Sequence, residues 1–213
     1  MKDLVIIGAG GFGREVKTLI DDINKVHPTY RFKGFYDDGF EVGTKINGYE
    51  VLGGLKNLNN ISTPVMVVVA IGAPDVKQKI VKQLINPYLE FPTLIHPSVI
   101  NSDNFVDIGK GCIICAGNIL TCNITIQDFV ILNLMCTIGH DTTINKYSSF
   151  MPSVNISGEV LIHKAVYVGT GAKIINQLEI GENTIIGAGA VVSKSIPANC
   201  TAVGVPARII KKT

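Results

Sequence analysis

Tryptophan is absent from this 213-residue chain, charged residues make up only 17% of it, and neither sign of charge prevails. Nineteen Lys and Arg stand against seventeen Asp and Glu, a net charge of +2, and the only basic run is Lys211 with Lys212 at the end. Nucleic acid is therefore not an expected partner. Long apolar runs are missing as well. Stretches such as VMVVVAIG at 65–72 fall far short of the ~18 apolar residues that cross a bilayer, so no membrane insertion is expected. The opening residues pass straight into a glycine loop and a charged amphipathic stretch, without the apolar segment and cleavage site of a signal peptide, which leads us to expect a cytoplasmic protein. Cysteines are few and odd in number, at 112, 115, 122, 136 and 200, and reduced thiols are the economical reading. Cys112 and Cys115 form one C-x-x-C, but the second pair that zinc needs is lacking, and no metal is expected.

What is present is hydrophobicity in short pieces. With 46% hydrophobic residues and 22 glycines, the chain is neither disordered nor collagenous, and its length suits one or two domains. Residues 4–8, LVIIG, predict a strand that ends in glycine. The text that follows switches to helical spacing, with Val16, Leu19, Ile20 and Ile23 on one face. Gly8, Gly10 and Gly13 satisfy G-x-G-x-x-G between that strand and that helix, the setting in which backbone amides receive a phosphate. A second strand, RFKGFYDD, delivers Asp37 and Asp38 near the spacing of a ribose-binding acid, and a third, VMVVVAIG, ends in Gly72. In an open parallel sheet these strand ends share one crevice, which places Gly10, Gly11, Asp37, Asp38 and Gly72 together. The segment 40–62 reads as a polar excursion between strands. The available length is half of a full dinucleotide fold and suits a mononucleotide or a sugar attached to one.

The second half is governed by a repeat. Every sixth residue from Ile108 to Val192 is bulky and apolar, fifteen in succession. At 46% hydrophobic residues such a run arises by chance on the order of once in a hundred thousand. A period of six belongs to a coil with three flat faces and eighteen residues per rung. One aliphatic residue per face points inward and stacks on its counterparts, while glycine and asparagine are expected where corners need unusual dihedrals. Cys112 and Cys136 share a column with Ala172 and Ala190 and read as interior filler. The tail after Ser195 leaves the repeat and is expected to cap the coil.

These features together resemble the hexapeptide-repeat acyltransferases, which fold as a left-handed parallel β-helix. Within them the chain is similar to the bacterial nucleotide-sugar acetyltransferases of the sialic-acid O-acetyltransferase type. The residues that carry the likeness are GAGGFGRE, the Asp37 and Asp38 pair, AIG at 70–72, LIHP at 94–97, LNLMCTIGHD at 132–141 and the closing GVPAR at 204–208. The resemblance implies an α/β Rossmann-like half-domain over 1–92 that binds a nucleotide-linked sugar, and a β-helix over 93–213, with a C-terminal cap, that binds acetyl-CoA between the subunits of a homotrimer. It further implies His140 as general base, Asp141 as its acidic neighbour, and Asn133 seven residues before the histidine. Gly10, Gly11, Phe12, Asp37, Asp38 and Gly72 then match the sugar-nucleotide site, and Ser149, Gly158, Thr170 and Ala188 match positions toward acetyl-CoA. Arg208 and Lys211 are the basic residues expected to meet the CoA phosphates, if the basic C-terminus is not simply solvated. Some relatives carry histidines at the positions of Phe12 and Ser149, which leaves open the sugar and the hold on the thioester.

The expected reaction is transfer of an acetyl group from acetyl-CoA to the amino group of a nucleotide-linked sugar, UDP-linked by preference, for surface-glycan synthesis. Histidine suits the proton transfer at neutral pH. Neighbours in a strand point to opposite faces, so His140 and Asp141 pair only if the chain bends there. O-acetylation of a sugar hydroxyl is the close alternative. A zinc carbonic anhydrase of β-helical form is the remote one, and would need a third histidine beside His140 and His163.

Overall fold

The computed structural model describes residues 1–101 and 105–212. Its first half is one mostly parallel sheet with helices against it. Strand β1 (Lys2–Ile7) leads through the glycine turn into helix α1 (Gly11–Val26), and β2 (Tyr30–Tyr36) returns beside β1. A hairpin of β3 (Lys45–Ile46) and β4 (Tyr49–Gly53) follows, then a single helical turn α2 (Leu55–Leu58). Strand β5 (Val65–Val69), helix α3 (Pro74–Gln83) and strand β6 (Leu89–Glu90) complete the order β3-β4-β2-β1-β5-β6. The polar segment read as an excursion thus adds edge strands, with β4 parallel to β2. Leu4, Ile6, Val67 and Val68 are buried because both sheet faces are covered, which is why their strands read as unbroken apolar runs.

The second half is a three-faced parallel β-helix, and the expectation from the six-residue period holds. Its faces are sheets of eight, six and five strands, most of them two residues long, and the chain visits them in that order. Ile114 pairs with Leu132, Ile138 with Ile156 and Ile144 with Ile162, each eighteen positions apart. Fourteen of the fifteen repeat residues are buried in one continuous core, and Ile108 packs against its end. Burying one such side chain contributes roughly 1.5–3 kcal/mol, so the column as a whole dominates the stability of this half.

The coil begins before the visible repeat. Leu94 pairs with Ile113 and Ile100 with Ile119, nineteen positions on, whereas Val106 pairs with Ile124, eighteen on. One extra residue in the first rung shifts the register and hides it from a strict period. The coil ends as Cys200–Val203 joins the eight-stranded face, and Arg208–Lys212 closes that edge antiparallel. The edge strand is then the exposed Arg208–Lys212, whose Arg208, Lys211 and Lys212 put charge on it, one of the ways in which exposed edges are kept from pairing with another chain.

Corners are not made as expected. Every sixth residue from Gly111 to Gly189 has positive φ, and ten of these fourteen are not glycine, among them Phe129, Asp141 and Tyr147. The glycines that directly follow repeat residues have ordinary φ and are needed for room. A Cβ on Gly139 would lie 2.6 Å from the Gly158 nitrogen of the next rung.

The two halves share packing. The eight-stranded face turns Leu94, Ile113 and Ile131 into one apolar cluster with Leu4, Ile6 and Leu19. No helix among the described residues is long and apolar enough to cross a membrane.

Candidate active site

The corner between the six-stranded and five-stranded faces carries His140 and Asp141. Asp141 takes one of the positive-φ positions, at 56°, and this is the bend that pairing requires. Its carboxylate swings back to the preceding side chain, with His140 Nδ1 2.7 Å from Asp141 Oδ2. The other oxygen, Oδ1, accepts a hydrogen bond of 3.0 Å from Asn123 Nδ2, one rung below. A carboxylate only accepts, so the proton of a neutral His140 lies on Nδ1 and the lone pair on Nε2. Both side chains are about half exposed. The hydrogen bond from His140, and secondarily that from Asn123, hold the Asp141 carboxyl below its ordinary range, so it is charged at neutral pH. The imidazole lies over Gly158 of the next rung, where a Cβ would come within 2.5 Å of its Cε1 and Nε2. Among the described residues the Gly158 amide donates to no backbone carbonyl.

The glycine turn sits on the far side of the molecule. Gly10 is the N-cap of α1, whose first turn has no acidic side chain and, among the described residues, no side-chain cap, which leaves its first amides without an intrahelical or capping acceptor. Gly13 is dictated by packing: a Cβ there would lie 1.9 Å from the Gly8 carbonyl oxygen. Asp37 braces the turn, accepting from the Ala9 amide through Oδ2 and from Gly39 through Oδ1, both at 2.8 Å. Asp38 is exposed and accepts from the Leu55 amide at 3.2 Å. Asp37 and Asp38 rim a crevice of about 70 Å³ with Gly8, Tyr36 and Ile71. Phe12 packs partly buried against the core shared with the coil.

Gly72 opens instead onto a cleft of about 720 Å³ between the two halves. Residues 72–75 form one wall, and Met151, Tyr167 and Ile185 of the eight-stranded face form the other. Thr170 and Ala188 are exposed at the corner between the eight-stranded and six-stranded faces. The expected acetyl-CoA positions are therefore divided, with Gly158 beside His140 on one corner and Thr170 and Ala188 on another. Ser149 departs from expectation. It is fully buried, and its hydroxyl accepts from Lys77 Nζ at 2.8 Å, so it offers a ligand neither surface nor a free hydroxyl.

Asn133 is buried, with its side-chain oxygen on the Leu134 amide at 2.7 Å. His96 links the halves, Nδ1 on Ser98 Oγ at 2.7 Å and Nε2 on Asp22 at 3.3 Å. His163 sits on a different corner from His140, near Glu179. Cys112 and Cys136 are interior, and burial pushes both thiols up to about 11. Arg208 and Lys211 lie exposed on the closing strand.

Two residues emerge only from the structure. Asn123 was legible in retrospect, because it stands eighteen positions before Asp141, one rung away. Lys77 lies three and four positions before Ile80 and Val81, on the inward face of α3, and only the fold shows what covers it.

Residues 3–84 match the PglD N-terminal domain, and residues 159–194 match the bacterial transferase hexapeptide of six repeats. The chain is similar to the GDP-perosamine N-acetyltransferase of Escherichia coli O157:H7, 33% identical over 98% of this chain and 96% of that one. Among solved structures, WeeI from Acinetobacter baumannii AYE aligns over 99% of this chain and 100% of its own, with 35% identity and a TM-score of 0.89. PerB from Caulobacter crescentus, solved with CoA and GDP-perosamine, aligns over 99% of this chain and 98% of its own, with 28% identity and a TM-score of 0.85.

Proposed function

The chain belongs to the hexapeptide-repeat acyltransferases that carry a PglD-type N-terminal domain, and on that footing we propose that it acetylates the amino group of a nucleotide-linked amino sugar with acetyl-CoA. The observation that carries this reading is the His140 and Asp141 pair, with Nε2 unencumbered, on a chain that matches a sugar-nucleotide N-acetyltransferase over nearly its whole length. The amine nitrogen attacks the thioester carbonyl while Nε2 takes its proton. The resulting oxyanion is met by the Gly158 amide beside the ring. Collapse expels the CoA thiolate, which recovers the proton from the imidazolium, and no acyl-enzyme forms. Asp141 stabilises the imidazolium in between.

Geometry supports a shared site. The N-terminal sheet and its helix α1 pack against the eight-stranded face, whereas His140 is on the corner opposite that face. A nucleotide held at the crevice of one subunit, with its sugar in the cleft that begins at Gly72, then reaches the His140 of a neighbour. Acetyl-CoA then lies between the Thr170 and Ala188 corner of the first and the His140 and Gly158 corner of the second. A homotrimer closes such contacts around three copies.

The test is thiol release from acetyl-CoA with a panel of GDP-, UDP- and TDP-linked 4-amino sugars and free sialic acid, with His140→Ala as control. Release with one amino sugar, lost in the variant, is the expected result and identifies the nucleotide. Release with sialic acid alone overturns the amino-sugar reading in favour of a hydroxyl acceptor.

A further inference from the structure

Lys77 is 1% exposed, in the first turns of α3, beneath the helix and against the eight-stranded face of the coil. Its Nζ donates to Ser149 Oγ at 2.8 Å and approaches the Ser148 carbonyl at 3.4 Å. Among the described residues no carboxylate lies within ion-pair distance of it. The one titratable group of the coil that acts on it is Cys112, an interior thiol that stays neutral and supplies no counter-charge, and on its own helix Asp75 and Lys79 are exposed. An ammonium buried without a partner is unfavourable, whereas a neutral amine with two acceptors is not. The same helix begins at the wall of the large cleft, since residues 72–75 run directly into Lys77.

We propose that Lys77 is a positioning residue for the acceptor: uncharged, it holds the first turn of α3, and with it the 72–75 wall of the cleft, against the rung of Ser148 and Ser149, and on gaining a proton it releases that wall. The inference rests on the reading that this cleft admits the sugar end of the acceptor. Burial lowers the Lys77 pKa to about 7, opposed only by Cys112, against an ordinary lysine value of 10.5. The docked state therefore binds fewer protons than a released one, in which Lys77 is solvated. Docking strengthens as pH rises from about 7 toward 10.5 and is indifferent to pH below that window.

The experiment is amide hydrogen exchange of α3, corrected for intrinsic rates, in the intact protein and in the Lys77→Met and Lys77→Met/Ser149→Ala variants. On lowering the pH from about 9 to about 7, protection of α3 relative to the coil is expected to fall about tenfold or more in the natural protein and to stay level in both variants. Equal slopes in all three proteins, or level protection throughout, overturn the latch. This readout needs no substrate, so it stands even where no sugar of the panel turns over. With an active acceptor, KM for the sugar nucleotide should rise over the same interval in the natural protein more than in Lys77→Met, with the two kcat profiles parallel. Identical KM profiles remove the positioning role.

Discussion

His140 and Asp141 are consecutive in the chain, yet Nδ1 of one lies 2.7 Å from Oδ2 of the other. Two strand neighbours point apart, and the contact exists because Asp141 occupies a corner with φ of 56°. Corners recur every six residues, so the coil that builds the core also makes the pair.

Replacing the base should remove most of the rate. His140→Ala is expected to lower kcat by about a hundred- to ten-thousand-fold, and Asp141→Asn, which keeps the shape and loses the charge, by less. Asn123→Ala, which frees only one carboxylate oxygen, should cost no more than a few-fold. Steady-state kinetics with KM for acetyl-CoA unchanged would confirm that these residues act on the chemistry. A rise in KM alone would argue against it.

Gly158 offers a sharper test of the ring's position. A methyl group there would fall 2.5 Å from the imidazole, so Gly158→Ala must displace His140. We expect kcat to drop by about tenfold or more, since small misplacements of a reacting group are costly. The circular dichroism spectrum and melting temperature should change little, because the displaced ring is at the surface.

Lys77 makes stability depend on pH. Its folded pKa is lowered, so between about 7 and 10.5 the unfolded chain holds a proton that the native chain lacks, and stability rises with pH across that window. Lys77→Met should therefore raise the melting temperature near neutral pH, with a gain that shrinks toward about pH 10. A gain that is constant with pH would contradict the buried neutral amine.

In the N-terminal half, Gly13→Ala should be poorly tolerated. Its Cβ would stand 1.9 Å from the Gly8 carbonyl oxygen, forcing α1 away from β1 at a cost of about 1–3 kcal/mol or more. Thermal unfolding should show the loss, and binding of GDP or UDP by calorimetry should weaken with it. Gly10→Ala, whose Cβ would meet no atom of the described residues within 4 Å beyond its chain neighbours, is the matched control and should leave stability near that of the natural protein.

The period of six, the strand and glycine turn at 4–13, and the acids after β2 were all legible in the residues, because each is local: inward positions must be apolar wherever the coil stands. Residue spacing alone determined the coil, its interior column and the glycine turn before α1. It did not show that corners accept Phe129 or Tyr147 with positive φ, since stacked rungs hold those residues there and composition carries no trace of it. Nor did the period show the first rung, where one extra residue breaks it and only the resemblance reached back to 93. Only the packing of the two halves placed His140 on the corner opposite the N-terminal half and put Thr170 and Ala188 on another. Ser149 and Lys77, seventy-two positions apart, meet because α3 lies across the eight-stranded face. Such contacts depend on how two separately legible halves pack, and that packing is set by apolar surfaces with no spacing of their own to read.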